Sequence, residues 1–265
     1  MKLRRFACRG FTLLELLIAT AIFMVICAAM FGLLQISQQK YAVESQLSGS
    51  FQEARLALDQ IVRDVNMSGY PSLSMFSFSP PATNYALAPF AWDPGYTTNT
   101  DCQMGSTCSP TPGDYDLIVE TNFQSGSGVS TVSWIRYQLV NNTLYRGVVS
   151  KTNGDPVSAF ANPGVMTPVV NNVMNNASGA QLAQISAEYP SMFPAGAPVP
   201  LFVYSCNTLA GSQPCTSTPA PYNTPRYISD VDITLIVQTP QADMQTQSLK
   251  VIELTGRGHR TNWAY

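Results

Sequence analysis

The chain has 265 residues, of which 45% are hydrophobic, 10% aromatic and only 11% charged, with a formal net charge of −2. That balance is too apolar and too aromatic for a disordered chain, and the length allows one large domain or a modest domain with an appendage. Lys2, Arg4, Arg5 and Arg9 crowd the first ten residues, whereas from Ser68 onward eleven acids face seven bases with no Lys/Arg cluster, which argues against a nucleic-acid binder working through phosphates.

Phe11 to Leu34 is a run of 24 residues in which Glu15 is the sole charge. As a helix it would reach about 36 Å at ~1.5 Å per residue, enough for a hydrocarbon core of ~30 Å. The bases before it predict a cytoplasmic N-terminus with everything after the run exported. Glu15 is the anomaly, because a carboxylate inside a spanning helix costs roughly 2.5–3.5 kcal/mol on insertion scales. A secretory signal peptide is the alternative, with Ala19-Thr20-Ala21 as a small-x-small site. Against it, the apolar run continues a dozen residues further and a charge interrupts the would-be signal core. A lipoprotein signal fits less well, since Ile26 before Cys27 is too bulky.

The helical pattern continues beyond the apolar run. Val43, Leu47, Phe51, Ala54, Leu58, Ile61 and Val65 recur at three or four residues and line one face, while Arg55, Asp59 and Arg63 follow at i+4 on the opposite face. Gly69 and Pro71 then end the pattern, so one helix is expected from about Phe11 to Met67, with Gly32 and Gly49 as its weak points. Residues 72–113 read as irregular, punctuated by Pro80-Pro81, Pro94-Gly95 and Pro112-Gly113. Strands are expected at 115–120, 129–140, 143–149, 201–204, 227–238 and 248–254, with Asn141-Asn142 as a two-residue hairpin turn. A long helix followed by a mainly antiparallel sheet is an α+β plan. The stretch 151–200 reads as a second Pro-rich excursion, and no internal repeat is present.

Of six cysteines, Cys8 and Cys27 lie in the leader and the apolar run. The other four form two near pairs, Cys102/Cys108 and Cys206/Cys215, in Pro/Gly/Ser-rich loops. Three pairings are possible, and export with short spacing favours the two local disulfides. Metal ligation is the rival reading, weakened by the lack of C-x-x-C and by a lone histidine, His259, which reads as a surface residue. No H-E-x-x-H, G-x-S-x-G, G-x-G-x-x-G or phosphate-binding loop is present, so an enzyme finds little support. Asp114/Asp116 and Asp230/Asp232 are spaced by two on or beside strands. Solvated strand edges explain them most simply, and a calcium site is the sharper alternative and the one cofactor in play.

Set beside the basic leader, Gly10-Phe11-Thr12-Leu13-Leu14-Glu15 resembles the N-terminus of type IV prepilins and type II secretion pseudopilins. The resemblance implies that a membrane aspartyl prepilin peptidase cuts after Gly10 and methylates the new amino terminus at Phe11. It also implies that Glu15 pairs with that amine on a neighbouring subunit during assembly. The stretch from Gln52 to Asp64 through Gly69-Tyr70, and Asp230-Val231-Asp232-Ile233 later, is similar to PilW-type minor pilins and to J-type minor pseudopilins. Where major pilins often carry a proline, this chain has Gly32. The resemblance implies a leader at 1–10, a transmembrane segment at 11–34, an amphipathic second half of the helix at 35–70 and an exported type IV pilin-like head at 71–265. The implied protein is a minor pilin near the filament tip, not an enzyme. Its expected partners are prepilin peptidase, other minor and major pilins and the inner-membrane assembly platform, with no nucleic acid. It would start as a single-pass precursor in a bacterial inner membrane and end in the pilus at the cell surface. A J-type pseudopilin, confined to the periplasm, is the alternative. A tip adhesin or ligand-binding module, touching its target through the cysteine loops, is a third reading of another class.

Overall fold

The computed structural model describes residues 12–122, 131–242 and 248–262. Helix α1 spans Leu13–Asn66, 54 residues, about 80 Å at ~1.5 Å per residue. Thr12 caps its start, and Met67 closes its end with its N–H on the carbonyls of Arg63 and Val65. Gly69 follows with φ of 79°, a conformation that costs glycine little. Leu13 to Leu34 is almost wholly uncovered, and α1 is the one helix among the described residues that is long and apolar enough to cross a membrane.

Burial of α1 begins only at Ala54 and follows Ala57, Leu58, Ile61, Asp64 and Val65 at three- and four-residue steps. The expected stripe was longer. Val43 and Leu47 are only half-buried and Phe51 is 38% exposed, because the helix at that height has run out below the sheets.

The strands form two antiparallel sheets where the sequence suggested one. The first holds β1 (Phe90–Ala91), β2 (Asp116–Thr121), β3 (Ser133–Val140), β4 (Thr143–Ser150) and β5 (Met166–Val170), in that order. The second holds β6 (Phe202–Thr208), β7 (Gly211–Pro214), β8 (Ile228–Gln238) and β9 (Val251–His259), ordered β7-β6-β8-β9. Asn141, with φ of 53°, turns β3 into β4 as the Asn-Asn pair predicts. Part of the strand start expected at 129 lies outside the described residues.

Both sheets contribute to one core around the α1 stripe, with Leu117, Val119, Ile135 and Tyr137 from the first and Phe202, Tyr204, Val231 and Leu235 from the second. Alternate residues of β2 and β3, Ile118 and Trp134, point the other way and join Trp92, Tyr96 and Phe160 in a second cluster. Residues 72–113, irregular as expected, are therefore a covering layer on the first sheet, and every residue of β2 is buried.

Five elements depart from the expectation. Helix α2, Gly179–Glu188, interrupts the stretch read as an excursion, and its Leu182 and Ile185 pack with Met174, Phe193 and Ile236. Strands β1, β5 and β7 are short edge or near-edge pieces without a clear alternating pattern. Strand β9 runs on past Leu254 to His259, and two of the added residues are glycines that face α1. A Cβ on Gly256 would lie 2.9 Å from Leu58 Cδ1, and one on Gly258 would lie 2.5 Å from Val65 Cγ1. These glycines are where α1 lies on the sheet.

Candidate functional site

The N-terminal motif enters the described residues at Thr12. The Thr12 N–H donates to Glu15 Oε2 at 2.9 Å and the Thr12 hydroxyl to the same oxygen at 3.0 Å, while the Glu15 N–H donates back to Thr12 Oγ1 at 3.3 Å. This reciprocal capping box satisfies two of the N–H groups that every helix leaves unpaired at its start, and it places a negative charge at the positive end of the helix dipole. Within one chain, then, Glu15 has a partner three residues away, the Thr12 that caps its own helix. Gly10, Phe11 and Cys8 lie outside the described residues. Nothing lies within 4 Å of a Cβ placed on Gly32, so that position is open on the helix surface.

The four head cysteines form Cys102–Cys108 and Cys206–Cys215, the local pairs, and Cys27 is a free thiol on α1. The second disulfide ties β6 to the chain just after β7. The two clamped loops lie side by side: Met104 N–H donates to the Asn223 carbonyl at 2.8 Å, and a Cβ on Gly105 would lie 2.9 Å from Thr216 Cγ2.

Each pair of aspartates has one solvated member, Asp114 or Asp232, and one buried member, Asp116 or Asp230. Asp114 is exposed in the loop before β2, while Asp116 is buried on it. Arg136 grips Asp116 through Nε–Oδ1 at 3.0 Å and Nη2–Oδ2 at 2.5 Å, and Gln138 adds a third bond at 3.1 Å. Such a fork leaves few lone pairs for an ion. Asp230 is also buried. Its Oδ1 meets His259 Nδ1 at 2.8 Å and Arg257 Nε at 3.2 Å, and its Oδ2 accepts the Ser229 hydroxyl at 2.6 Å. Burial alone would push Asp230 up, but the bonds from Ser229, His259 and Arg257 outweigh it and hold the carboxyl down at about 2. Asp232 lies 3.6 Å from the same Arg257. The buried member of each pair is held by the chain's own basic side chains, Asp116 by Arg136 and Asp230 by Arg257 and His259, and no group of three metal-ligating side chains occurs among the described residues. Spacing by two shows that two carboxylates share a face, but not that an arginine stands across the ladder.

Two buried carboxylates escaped notice. Asp64, in the stripe of α1, accepts the Tyr137 hydroxyl at 2.6 Å and Arg146 Nη2 at 2.9 Å, tying the helix end to β3 and β4. Burial, then the Asp64 charge, pushes the Tyr137 phenol well up from its ordinary value. Glu120, wholly buried on β2, accepts the Leu87 N–H at 2.7 Å, Trp134 Nε1 at 2.8 Å and the Tyr96 hydroxyl, with Lys151 Nζ at 3.4 Å. It pins the covering layer to the sheet. Asp64 had a signal in the sequence, a charge three residues after Ile61 on the apolar face; Glu120 had none.

Residues 5–31 match the model of the prokaryotic N-terminal methylation motif. No curated protein and no solved structure matches the chain. The matched motif is the signal of type IV pilins and pseudopilins, and the structure adds a long N-terminal helix packed on antiparallel sheets with two disulfides. Together these support the type IV pilin and pseudopilin class, an α+β type IV pilin-like chain whose apolar helix fits a membrane-anchored precursor.

Proposed function

We propose that the chain is a minor type IV pilin of the PilW kind. Prepilin peptidase removes residues 1–10 by cutting after Gly10 and methylates Phe11. Residues 11–34 hold the precursor in the inner membrane, 35–70 continue the helix, and 71–265 form the exported head. Its role is assembly, not catalysis. The observation that carries this reading is the methylation motif running directly into a helix whose first half is left uncovered by the other described residues.

Glu15 has a part in each state. In the membrane its carboxylate caps its own helix. A carboxylate offers about four acceptor sites, so it can also take the Phe11 ammonium of a neighbour when the helices bundle. Pairing there offsets the cost of burying either charge alone. Glu15→Ala is therefore expected to leave cleavage and insertion largely intact, to remove the reciprocal half of the capping box while Thr12 stays in place, and to lower incorporation into filaments. An alanine variant found in filaments at the wild-type level contradicts the pairing.

The head is large for a lattice of identical copies, with the covering layer at 72–113 and the α2 segment packed onto the outside of its sheets. Such additions are easier to place at a filament end, where one side has no neighbour. Quantitative mass spectrometry of sheared filaments is expected to find a few copies per filament beside a far more abundant main pilin. Comparable abundance would overturn the minor-pilin reading. A deletion strain that keeps its pili but fails to secrete enzymes would favour the J-type pseudopilin.

A further inference from the structure

One cavity in the head has the composition of a ligand site. It measures about 240 Å³ and is lined by Tyr85, Leu87, Tyr96, Thr97, Lys151 and Asn153, among others. Its position follows from the strand register. Met67, at the end of α1, accepts the Thr121 hydroxyl at 2.7 Å, and Thr121, Ser133 and Ser150 lie in line across β2, β3 and β4. Lys151 follows Ser150, so the cavity opens at the end of the head reached by the C-terminus of α1, away from the apolar half of the helix.

Lys151 is buried at the cavity wall, where an ammonium needs three acceptors. It donates to the Tyr85 carbonyl at 2.9 Å and, at a long 3.4 Å, to Glu120 Oε2. Its remaining neighbours are the rings of Tyr85 and Tyr96, with centroids at 5.4 and 5.6 Å. No third oxygen meets it among the described residues. The Tyr85 hydroxyl, the Thr97 hydroxyl and the Asn153 carboxamide, also at the cavity, form no hydrogen bond among the described residues either. Glu120 cancels the charge of Lys151, and Lys151 is the only charged residue in the lining. Aromatic and aliphatic surface beside several uncommitted donors and acceptors, without net charge, matches a neutral polyhydroxylated molecule better than an anion. The volume lies just below the ~300–1,000 Å³ of ordinary ligand pockets, which suits one ring and not a chain.

We propose that this cavity is a binding site for a neutral, hydroxylated small ligand of the size of one sugar residue, with Lys151 donating into the site and Tyr85 and Asn153 reading hydroxyls at its rim. The site goes beyond the filament reading and does not depend on it, because a chain that fails to assemble still carries the cavity.

The test uses the full-length protein in a sugar-free detergent and saturation-transfer difference NMR. The probes are the methyl glycosides of glucose, galactose, mannose and N-acetylglucosamine, with N-acetylneuraminic acid as an anionic sugar and competition by inorganic phosphate. At least one neutral glycoside is expected to bind in preference to the anionic sugar, and phosphate is expected not to displace it. Tyr85→Phe combined with Asn153→Ala is expected to weaken binding at least tenfold while leaving thermal unfolding unchanged, since neither side-chain polar group forms a hydrogen bond among the described residues. Asn153→Gln alone is expected to retain part of the binding if the double variant should lose its fold. The proposal is overturned if no neutral glycoside binds, if the anionic sugar or phosphate binds in preference, or if both sets of variants bind as the wild type does.

Discussion

Glu120→Ala is expected to cost the head about 3–5 kcal/mol, the range for removing one partner of a buried ion pair. The substitution strands the Lys151 ammonium, which is almost wholly buried, and takes the acceptor from Trp134 Nε1, the Tyr96 hydroxyl and the Leu87 N–H in the same step. Unsatisfied buried donors cost about 1–3 kcal/mol each when their partner is lost, and of these four Trp134 Nε1 does not line the cavity. Because the lost bonds hold residues 87–96 to β2, the covering layer over Trp92 and Trp134 should loosen first. Denaturant unfolding followed by tryptophan fluorescence and near-ultraviolet circular dichroism reads this directly. A loss under about 1 kcal/mol would show that water replaces the carboxylate at little cost. Asp64→Ala should act in the same direction but less severely, since Arg146 at 19% side-chain exposure can turn toward solvent.

Gly258→Ala is expected to destabilise the docking of α1 by about 1–3 kcal/mol or more, the range for overpacking a close contact. The added carbon would sit 2.5 Å from Val65 Cγ1 and 2.6 Å from its Cβ. Val65 is β-branched on a helix, with one strongly preferred rotamer, so it cannot swing aside. Gly256→Ala is the graded control: its nearest neighbour, Leu58 Cδ1 at 2.9 Å, is the far end of a flexible side chain. The order of stability should therefore be wild type, then Gly256→Ala, then Gly258→Ala. Limited proteolysis at residues 53–67 should follow the same order. A Gly258→Ala variant as stable as the wild type would mean that β9 and α1 are not packed this closely.

These two sites also show where the sequence was legible. Helix α1 could be read almost to its ends, because a 3.6-residue pattern survives from the apolar run into the head and Gly69 and Pro71 stop it. Strands β2, β3, β4 and β8 also lie close to where alternation and turn residues put them. Gly256 and Gly258 were opaque for a physical reason. Glycine in a strand reads as a break unless the residue across from it is known, and here that residue belongs to a helix almost two hundred positions earlier. The buried ion pairs were hidden in the same way. Asp64 pairs with Arg146 and Glu120 with Lys151, contacts that only the register of β2, β3 and β4 creates. The Asp114/Asp116 and Asp230/Asp232 pairs looked like a possible calcium site because spacing alone cannot reveal Arg136 and Arg257. Helix α2 was masked by Gly179 and by small residues that weaken its apolar stripe. The N-terminal motif needed no tertiary information, since its chemistry is local in sequence.

The central claim is that the chain is a prepilin, and its processing tests that most directly. Protein extracted from the membranes of cells that also express prepilin peptidase should be analysed by intact mass and by sequencing of its N-terminal peptide. The account predicts a mature chain that begins at N-methyl-Phe11, with Gly10 and everything before it removed. A chain that begins at Ile22, as ordinary signal peptidase would leave it after Ala21, or one that keeps its leader uncut, would contradict it.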